Sequence, residues 1–157
     1  MIALQKLTVK DAFQAVDEDP ILVRLTDEFS QIINNFAHHA ELRGVFVVDE
    51  ANRFSGVITR TDLLDWARVK LGAIFLKPLA NTNKTIRLVN LSKATTAGDV
   101  LRPDTKKAAV LPNDTLARAL QMMIEADLIL IPVIDESQHV IGSLTLSELL
   151  NLALAKS

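Results

Sequence analysis

The sequence predicts an α+β (α/β) protein built from two copies of one β-α-β-β-α unit, packed sheet to sheet about a pseudo-twofold axis. The main observation is an internal repeat, because the segment from Val45 to Leu64 resembles the segment from Ile131 to Leu150, 86 residues later. A second observation is that each copy combines short apolar runs with apolar residues at helical spacing. A three-stranded sheet with both helices on one face leaves its other face bare, so two copies are expected to bury these faces together.

The repeat extends upstream in two further blocks. A helical apolar pattern that begins at Phe29 recurs from Leu116, 87 residues later, and TVKDAF at Thr8 matches TAGDVL at Thr96, 88 residues later. Three matched blocks in the same order indicate duplication. The predicted division is a first repeat at residues 8–72, a linker at 73–95 and a second repeat at 96–155.

Each element of the unit follows from a local pattern. Apolar runs at residues 21–25 and 108–111 predict the first strand, and Asp27 and Asn113 are candidates to cap the helix that follows. Two β-rich runs flank DEANR in the first copy and DESQH in the second, which predicts a hairpin with a loop of about five residues. A second helix then closes each unit.

The composition limits the classes of function. The chain has 157 residues, of which 49% are apolar and 23% are charged, so it is long enough to bury a real core. Its net charge of −2 gives no positive field that would attract nucleic acid or an anionic membrane. The absence of cysteine excludes disulfides, thiolate metal sites and thiol catalysis. No signal peptide or membrane-spanning run is expected, so the predicted location is cytoplasmic.

The most informative motif is GVITRTD, which ends at Asp62 and recurs as GSLTLSE, which ends at Glu148. In each copy a strand ends in threonine (Thr59 or Thr145) at a predicted helix start, with an acidic residue three positions later. One interpretation is a capping box, in which the threonine caps the helix and the carboxylate reaches back.

The second interpretation is a nucleotide site, and it uses the same geometry. The first turn of a helix has unpaired N–H groups and a partial positive charge that suit a phosphate. The threonine hydroxyl can add a bond to that phosphate, and a carboxylate one turn further on can accept from both ribose hydroxyls. The adjacent strands can supply apolar walls for a purine ring.

These motifs, together with LPNDTLARALQMM and the IPVIDE run, make the sequence resemble a tandem pair of cystathionine-β-synthase-type (CBS) domains, a Bateman module. The resemblance covers roughly residues 8–72 and 96–155. It implies a non-catalytic module that binds an adenine nucleotide, with AMP or ATP as the expected ligand, in the clefts between the repeats. The implied phosphate and ribose contacts are Thr59, Asp62, Thr145 and Glu148. The implied adenine-lining residues are Ile21, Leu22, Val45, Phe46, Lys107, Ala108, Ile131 and Pro132.

The sequence departs from the family pattern at several positions. Glu148 replaces the usual aspartate, and its extra methylene displaces the carboxylate, so the first site is expected to bind better than the second. Phe46 stands where the second repeat has Pro132, so the two adenine pockets are expected to differ. Arg60 is a candidate phosphate partner, and the alternative is an exposed residue at the start of a helix.

The resemblance also implies a homodimer and an effector protein that the sequence does not identify. Trp66 is either a core residue or part of the dimer face. Leu64 and Ala67 have the spacing of an inward stripe on the same helix, which favours the dimer face for Trp66.

Two other classes of function compete with nucleotide sensing. One is a structural dimerisation or interaction module with the same fold and empty clefts. The other is an enzyme with an unrecognised active site, although the sequence has no GxxxxGK[ST], GxSxG or HExxH motif. No metal is predicted, because the neighbours His38 and His39 point about 100° apart on a helix.

Overall fold

The computed structural model describes residues 2–13, 21–70, 91 and 93–156, in which helices and strands form two similar halves. Residues 71–90, which contain most of the predicted linker, lie outside the described part. The first half contains α1 (Ile2–Lys6), α2 (Val9–Phe13), β1 (Leu22–Arg24), α3 (Phe29–His38), β2 (Gly44–Val48), β3 (Phe54–Thr59) and α4 (Arg60–Lys70). The second half contains α5 (Ala97–Val100), a 3-10 helix (Pro103–Lys107), α6 (Leu116–Ala126), β4 (Leu130–Ile134), β5 (Val140–Thr145) and α7 (Leu146–Ala155).

The two hairpins have the same strand register, which confirms the predicted duplication. Gly44 pairs with Thr59 in the first hairpin and Leu130 pairs with Thr145 in the second, each 86 residues later. Both pairings shift at the same place, near the ends of β2 and β4. Both connecting loops have five residues, as the DEANR and DESQH segments predict. An aspartate at the start of each loop accepts hydrogen bonds from the amides two and four residues later.

The sheets differ in their third strand. In the first half β1 pairs in parallel with β2, and β2 pairs with β3, whereas the second half has β4 and β5 with only an isolated bridge between Val110 and Val133. Two prolines explain the difference. The first sheet has hydrogen bonds from the Phe46 amide to the Ile21 carbonyl and from the Leu25 amide to the Val48 carbonyl. The residues equivalent to these two donors are Pro132 and Pro112, which have no N–H.

The leading segment of each repeat packs on the other repeat. The isolated bridge between Thr8 and Thr115 has its counterpart in the bridge between Thr96 and Glu28. The α2 helix contacts β5 and α7, and the α5 helix contacts β1 and α3. The sequence repeats are therefore interlocked, since each supplies a short helix to the opposite half.

The same hydrogen bonds fasten both leading segments. The amides of Val9 and Lys10 donate to the carbonyls of Asp114 and Pro112, at 2.8 Å in each case. In the other half the amides of Ala97 and Gly98 donate to the carbonyls of Asp27 and Leu25, at 2.9 Å in each case. The hairpin loops add a contact on the pseudo-twofold axis, because Arg53 bridges its own equivalent, His139.

Each of the two apolar cores contains residues from both sequence repeats. One contains α3, β2 and β3 residues together with Ala97 and Val100 from the leading segment of the second repeat. The other contains α6, β4 and β5 residues together with Val9 and Ala12 from the N-terminal segment. Phe46 and Val57 of the first sheet also belong to this second core, so the two sheets meet across a continuous apolar contact.

Two local predictions were wrong. The N-caps of α3 and α6 are Glu28 and Thr115, and only the Thr115 hydroxyl accepts a capping hydrogen bond. Asp27 instead accepts from the Arg24 amide in the preceding turn, and Asn113 lies two residues before its cap. The predicted inward face of α4 was also wrong. Leu64 is 51% exposed, whereas Trp66 packs on the core that contains α3, with its ring edge against Phe29.

Candidate functional site

The turn at the start of α4 encloses the Asp62 carboxylate. Asp62 Oδ2 accepts hydrogen bonds from the Thr59 amide at 2.8 Å and from the Thr59 hydroxyl at 3.3 Å. This is the reaching-back half of a capping box, and it fixes the carboxylate beside the first turn of the helix. Asp62 is only 1% exposed, so a charged group lies at the edge of the core. Burial of a carboxylate is costly unless a cation compensates it.

Among the described residues, Arg102, from the loop between α5 and the 3-10 helix, is a cation that compensates Asp62. Its Nε lies 3.6 Å from Asp62 Oδ1, which is an ion-pair distance and too long for a hydrogen bond. Its Nη2 donates to the Ala126 carbonyl at 3.2 Å, and its Nη1 lies 3.8 Å from Asp104 Oδ2. Arg102 therefore joins the first repeat's acidic turn to the C-terminal end of α6 in the second repeat.

The second copy of the turn has a different geometry. The Thr145 hydroxyl accepts from the Glu148 amide at 3.2 Å, which is the other half of a capping box. Glu148 Oε2 is buried and has no hydrogen-bond partner among the described residues. The longer side chain thus does not reach back to Thr145 as Asp62 reaches Thr59. The position equivalent to Arg102 is Gln14, which lies outside the described residues.

The Arg60 side chain binds the backbone at the C-terminal end of α3. Its guanidinium donates to the carbonyls of His39 and Leu42 at 2.9 Å and to that of Ala40 at 3.1 Å. It also lies 5.1 Å from the centre of the Phe36 ring. Arg60 therefore caps the C-terminal end of α3, where carbonyls attract a cation, and this position points to a structural role.

The residues expected to line adenine fall into two groups. Ile21, Leu22 and Lys107 have accessible side chains, whereas Ala108 is buried but borders a groove. The strand residues of the second group are fully or nearly fully buried, namely Val45, Phe46, Ile131 and Pro132. The side chains of Val45, Phe46 and Ile131 form core contacts, and Val45 lies in the same core as α3.

A groove of about 300 Å³ borders the Arg102 contacts. It is lined by Lys107 and Ala108, which the sequence predicts as site residues, and by Arg118 and Ala126 among others. The Ala126 carbonyl that borders this groove is the acceptor for Arg102. A second groove of about 440 Å³ lies at the ends of β1 and β2, beside Arg24 and Arg53, and it contains none of the predicted site residues.

Gly56, the first residue of the motif, permits a close approach between the repeats. A Cβ atom at Gly56 would lie 2.7 Å from Leu101 Cδ2 and 3.0 Å from Thr105 Oγ1. Thr105 is completely buried, and its hydroxyl accepts from the Val57 amide at 3.2 Å. The glycine therefore allows the 3-10 helix to lie directly on β3, next to the Asp62 turn.

Sequence reasoning missed Arg102 and Thr105. The available signal for both is the predicted strand at 108–111 that they precede, because Arg102 and Thr105, just before it, lie against the motif of the first repeat. Only the interlocked arrangement reveals that contact.

Among the described residues, no group of three or more His, Cys, Asp or Glu side chains is placed to hold a metal. The described helices also include none with the length and apolar character to cross a membrane.

The fold and the paired turns define a tandem-repeat module with pseudo-twofold symmetry and one acidic turn per repeat. A family model for the CBS domain matches residues 9–68 and 97–155. The chain therefore belongs to the CBS domain family, which confirms the resemblance seen in the sequence. No individual curated protein matches the chain.

Solved structures of related proteins have the same fold. CBSX2 from Arabidopsis thaliana, in complex with AMP, gives a TM-score of 0.73 at 19% identity over 95% of this chain and 97% of that chain. A CBS domain-containing protein from Thermotoga maritima gives 0.71 at 24% identity over 96% of both chains. The CBS domain pair of protein MJ0100, in complex with 5'-methylthioadenosine and S-adenosyl-L-methionine, gives 0.64 at 17% identity over 96% and 98%. The predicted mixed fold class is thereby confirmed.

Proposed function

We propose that the chain is a regulatory module that binds an adenosine-containing ligand between its repeats, with the first cleft as the principal site. The observation that carries the proposal is the enclosed Asp62 carboxylate beside the Thr59 hydroxyl and the first turn of α4. A ribose would bind at Asp62 and its 5' substituent would lie near Thr59. Ligands bound by CBSX2 and by the MJ0100 domain pair, which are AMP, 5'-methylthioadenosine and S-adenosyl-L-methionine, support this chemical class.

The remaining predicted residues divide between the two clefts. The residues proposed to surround adenine are those with accessible side chains, Ile21, Leu22 and Lys107. In the second cleft, Thr145 and Glu148 would perform the roles of Thr59 and Asp62. The buried Glu148 Oε2 has no hydrogen-bond partner among the described residues, so it could accept a hydrogen bond from a ribose hydroxyl. We propose repeat boundaries at 8–72 and 96–155, joined by the linker 73–95, and a cytoplasmic location.

Calorimetric titration and thermal unfolding with AMP, ADP, ATP, adenosine, 5'-methylthioadenosine and S-adenosyl-L-methionine test the proposal. A ligand at one hundred times its Kd adds about 2.7 kcal/mol of stability, which raises the Tm by about 5–10 °C in a chain of this size. Asp62→Asn keeps the side-chain shape and removes the charge, so it is expected to abolish most of this rise. Asp65→Asn, one turn further along α4, is the matched control.

Three results separate the proposal from its competitors. A wild-type protein whose Tm is indifferent to all six ligands would refute ligand binding at either cleft. Release of phosphate or adenine during incubation, absent in Asp62→Asn, would contradict a non-catalytic module. A response that persists in Asp62→Asn and disappears in Glu148→Gln would assign binding to the second cleft instead.

A structural interaction module is the second candidate, because Asp62 is already compensated by Arg102 within the chain. Exposed leucines on α4 and α7 offer a surface for a homodimer, with Leu64 51% exposed and Leu154 67% exposed. We expect Leu64→Glu and Leu154→Glu to shift a dimer towards monomer in light scattering. Unchanged mass in both variants would exclude this surface as the dimer interface.

A further inference from the structure

The ion pair between Asp62 and Arg102 determines what a ribose meets at the first cleft. Asp62 Oδ2 is held by the amide and hydroxyl of Thr59, whereas Oδ1 faces the Arg102 guanidinium at 3.6 Å. A ribose hydroxyl that donates to Oδ1 would therefore compete with Arg102 for the same oxygen. When a ribose binds at this turn, its hydroxyl replaces Arg102 as the partner of Asp62 Oδ1, whose negative charge Arg102 balances in the free protein.

The exchange takes the nearer of two carboxylates, Asp62, away from the Arg102 guanidinium and leaves the more exposed Asp104. The Arg102 side chain is 22% exposed, so water screens it only in part once Asp62 turns to a ribose. Its other contacts, the Ala126 carbonyl at 3.2 Å and the Asp104 carboxylate at 3.8 Å, hold the guanidinium near the turn. A phosphate on the 5' carbon, beside Thr59 and the first turn of α4, is well placed to restore the balance.

From this exchange we propose that Arg102 is a specificity-determining residue that makes the first cleft select anionic adenosine ligands over neutral or cationic ones. The inference rests on the proposed function. An adenosine 5'-phosphate replaces one charge-assisted contact of Arg102 with another. Adenosine, 5'-methylthioadenosine and the sulfonium of S-adenosyl-L-methionine break the ion pair with Asp62 and bring no anion of their own, so the guanidinium keeps only its weaker contact with Asp104 at 3.8 Å among the described carboxylates.

The second cleft supplies an internal contrast. The position equivalent to Arg102 is Gln14, a neutral residue. Its acidic turn carries Glu148, whose Oε2 has no hydrogen-bond partner among the described residues. The first repeat therefore has no arginine at the position equivalent to Arg102. Arg102→Gln gives the first repeat boundary the residue type of the second.

The test is the ratio of Kd values for adenosine and AMP, measured by calorimetry in the full chain. We expect wild type to bind AMP at least about tenfold more tightly than adenosine, the effect of one charge-assisted hydrogen bond. Arg102→Gln should reduce this ratio to within about threefold of unity, since the remaining contacts to phosphate are neutral. Arg102→Lys keeps the charge and should retain an intermediate ratio. Arg68→Met, which removes an exposed arginine from α4, should leave the wild-type ratio unchanged.

The ligand ratio reports selection and not merely folding. If Arg102→Gln does not fold, as judged by circular dichroism, Arg102→Met, which keeps the aliphatic stem and removes the charge, takes its place, and a wild-type ratio there overturns the inference. Equal affinity of wild type for adenosine and AMP overturns the inference while the proposed function stands. An unchanged preference for AMP in folded Arg102→Gln also overturns it. Absence of binding by any adenosine compound refutes the proposed function and the inference together.

Discussion

The hydrogen bond between Thr105 and Val57 joins the 3-10 helix of the second repeat to β3 of the first. Thr105 is 0% exposed, and its hydroxyl accepts from the Val57 amide at 3.2 Å and donates to the Arg102 carbonyl at 2.8 Å. Thr105→Val preserves the branched shape and removes both hydrogen bonds. It leaves the Val57 N–H buried beneath the 3-10 helix without this acceptor.

The expected cost follows from that buried donor. An unsatisfied buried N–H costs about 1–3 kcal/mol, and the near-identical volume of valine adds no large cavity term. We therefore expect Thr105→Val to lower the free energy of unfolding by about 2 kcal/mol. In a chain of this length that loss lowers the Tm by about 4–8 °C.

Urea unfolding followed by far-UV circular dichroism measures the loss, and calorimetry gives the Tm. The control is Thr26→Val, the same change at an exposed turn residue, which should alter stability by no more than about 0.5 kcal/mol. If Thr105→Val is as stable as this control, the Thr105 hydrogen bond does not stabilise the contact between the repeats. The account of how β3 is held beside the Asp62 turn would then be refuted.

Three further changes test other contacts. Gly56→Ala places a Cβ 2.7 Å from Leu101 Cδ2 and should cost about 1–3 kcal/mol in urea unfolding, whereas wild-type stability would show that the loop yields freely. Arg60→Met removes the carbonyl contacts at the end of α3 and should cost about 1 kcal/mol, with Arg68→Met as control; equal losses would contradict the capping role. The pKa of Asp99 is lowered mainly by the Thr95 amide and then by that of Thr96, so its contribution is present above about pH 4 and is lost as the pH falls through its folded pKa. Asp99→Asn should therefore destabilise the chain at pH 7 and much less in acid, and a pH-independent difference would contradict this origin.

Much of the fold is predictable because duplication leaves a direct record in the sequence. The hairpins, their five-residue loops and the helices that begin after Thr59 and Thr145 follow from local patterns that recur at a fixed offset. The prediction of a full strand at residues 108–111 was wrong, because only an isolated bridge at Val110 joins the second sheet, although Pro112 and Pro132 are visible in the sequence. Their effect becomes clear only when the ladder donors of the first sheet, Leu25 and Phe46, are known.

The site is less predictable, because its contacts join distant parts of the chain. The motif residues Thr59 and Asp62 form the local bonds that their spacing suggests. Arg102 reaches Asp62 only because the leading segment of the second repeat packs on the first, and no local pattern encodes that crossing. The helix face of Trp66 was misjudged for a related reason. A helix that packs on one side can leave a leucine exposed, and spacing alone does not distinguish the two faces.

The interlocked leading helices have a consequence for how such a chain arises. In a half-length polypeptide with a single repeat, the short N-terminal helix would lack the surface of the other repeat on which it packs here. Such a polypeptide would bury that helix only against a second molecule, so its smallest stable form would be a pair of identical chains that exchange arms. Joining two such repeats in one chain turns a contact between molecules into one within a molecule, and the two halves can then differ, as the arginine at position 102 and the glutamine at position 14 do.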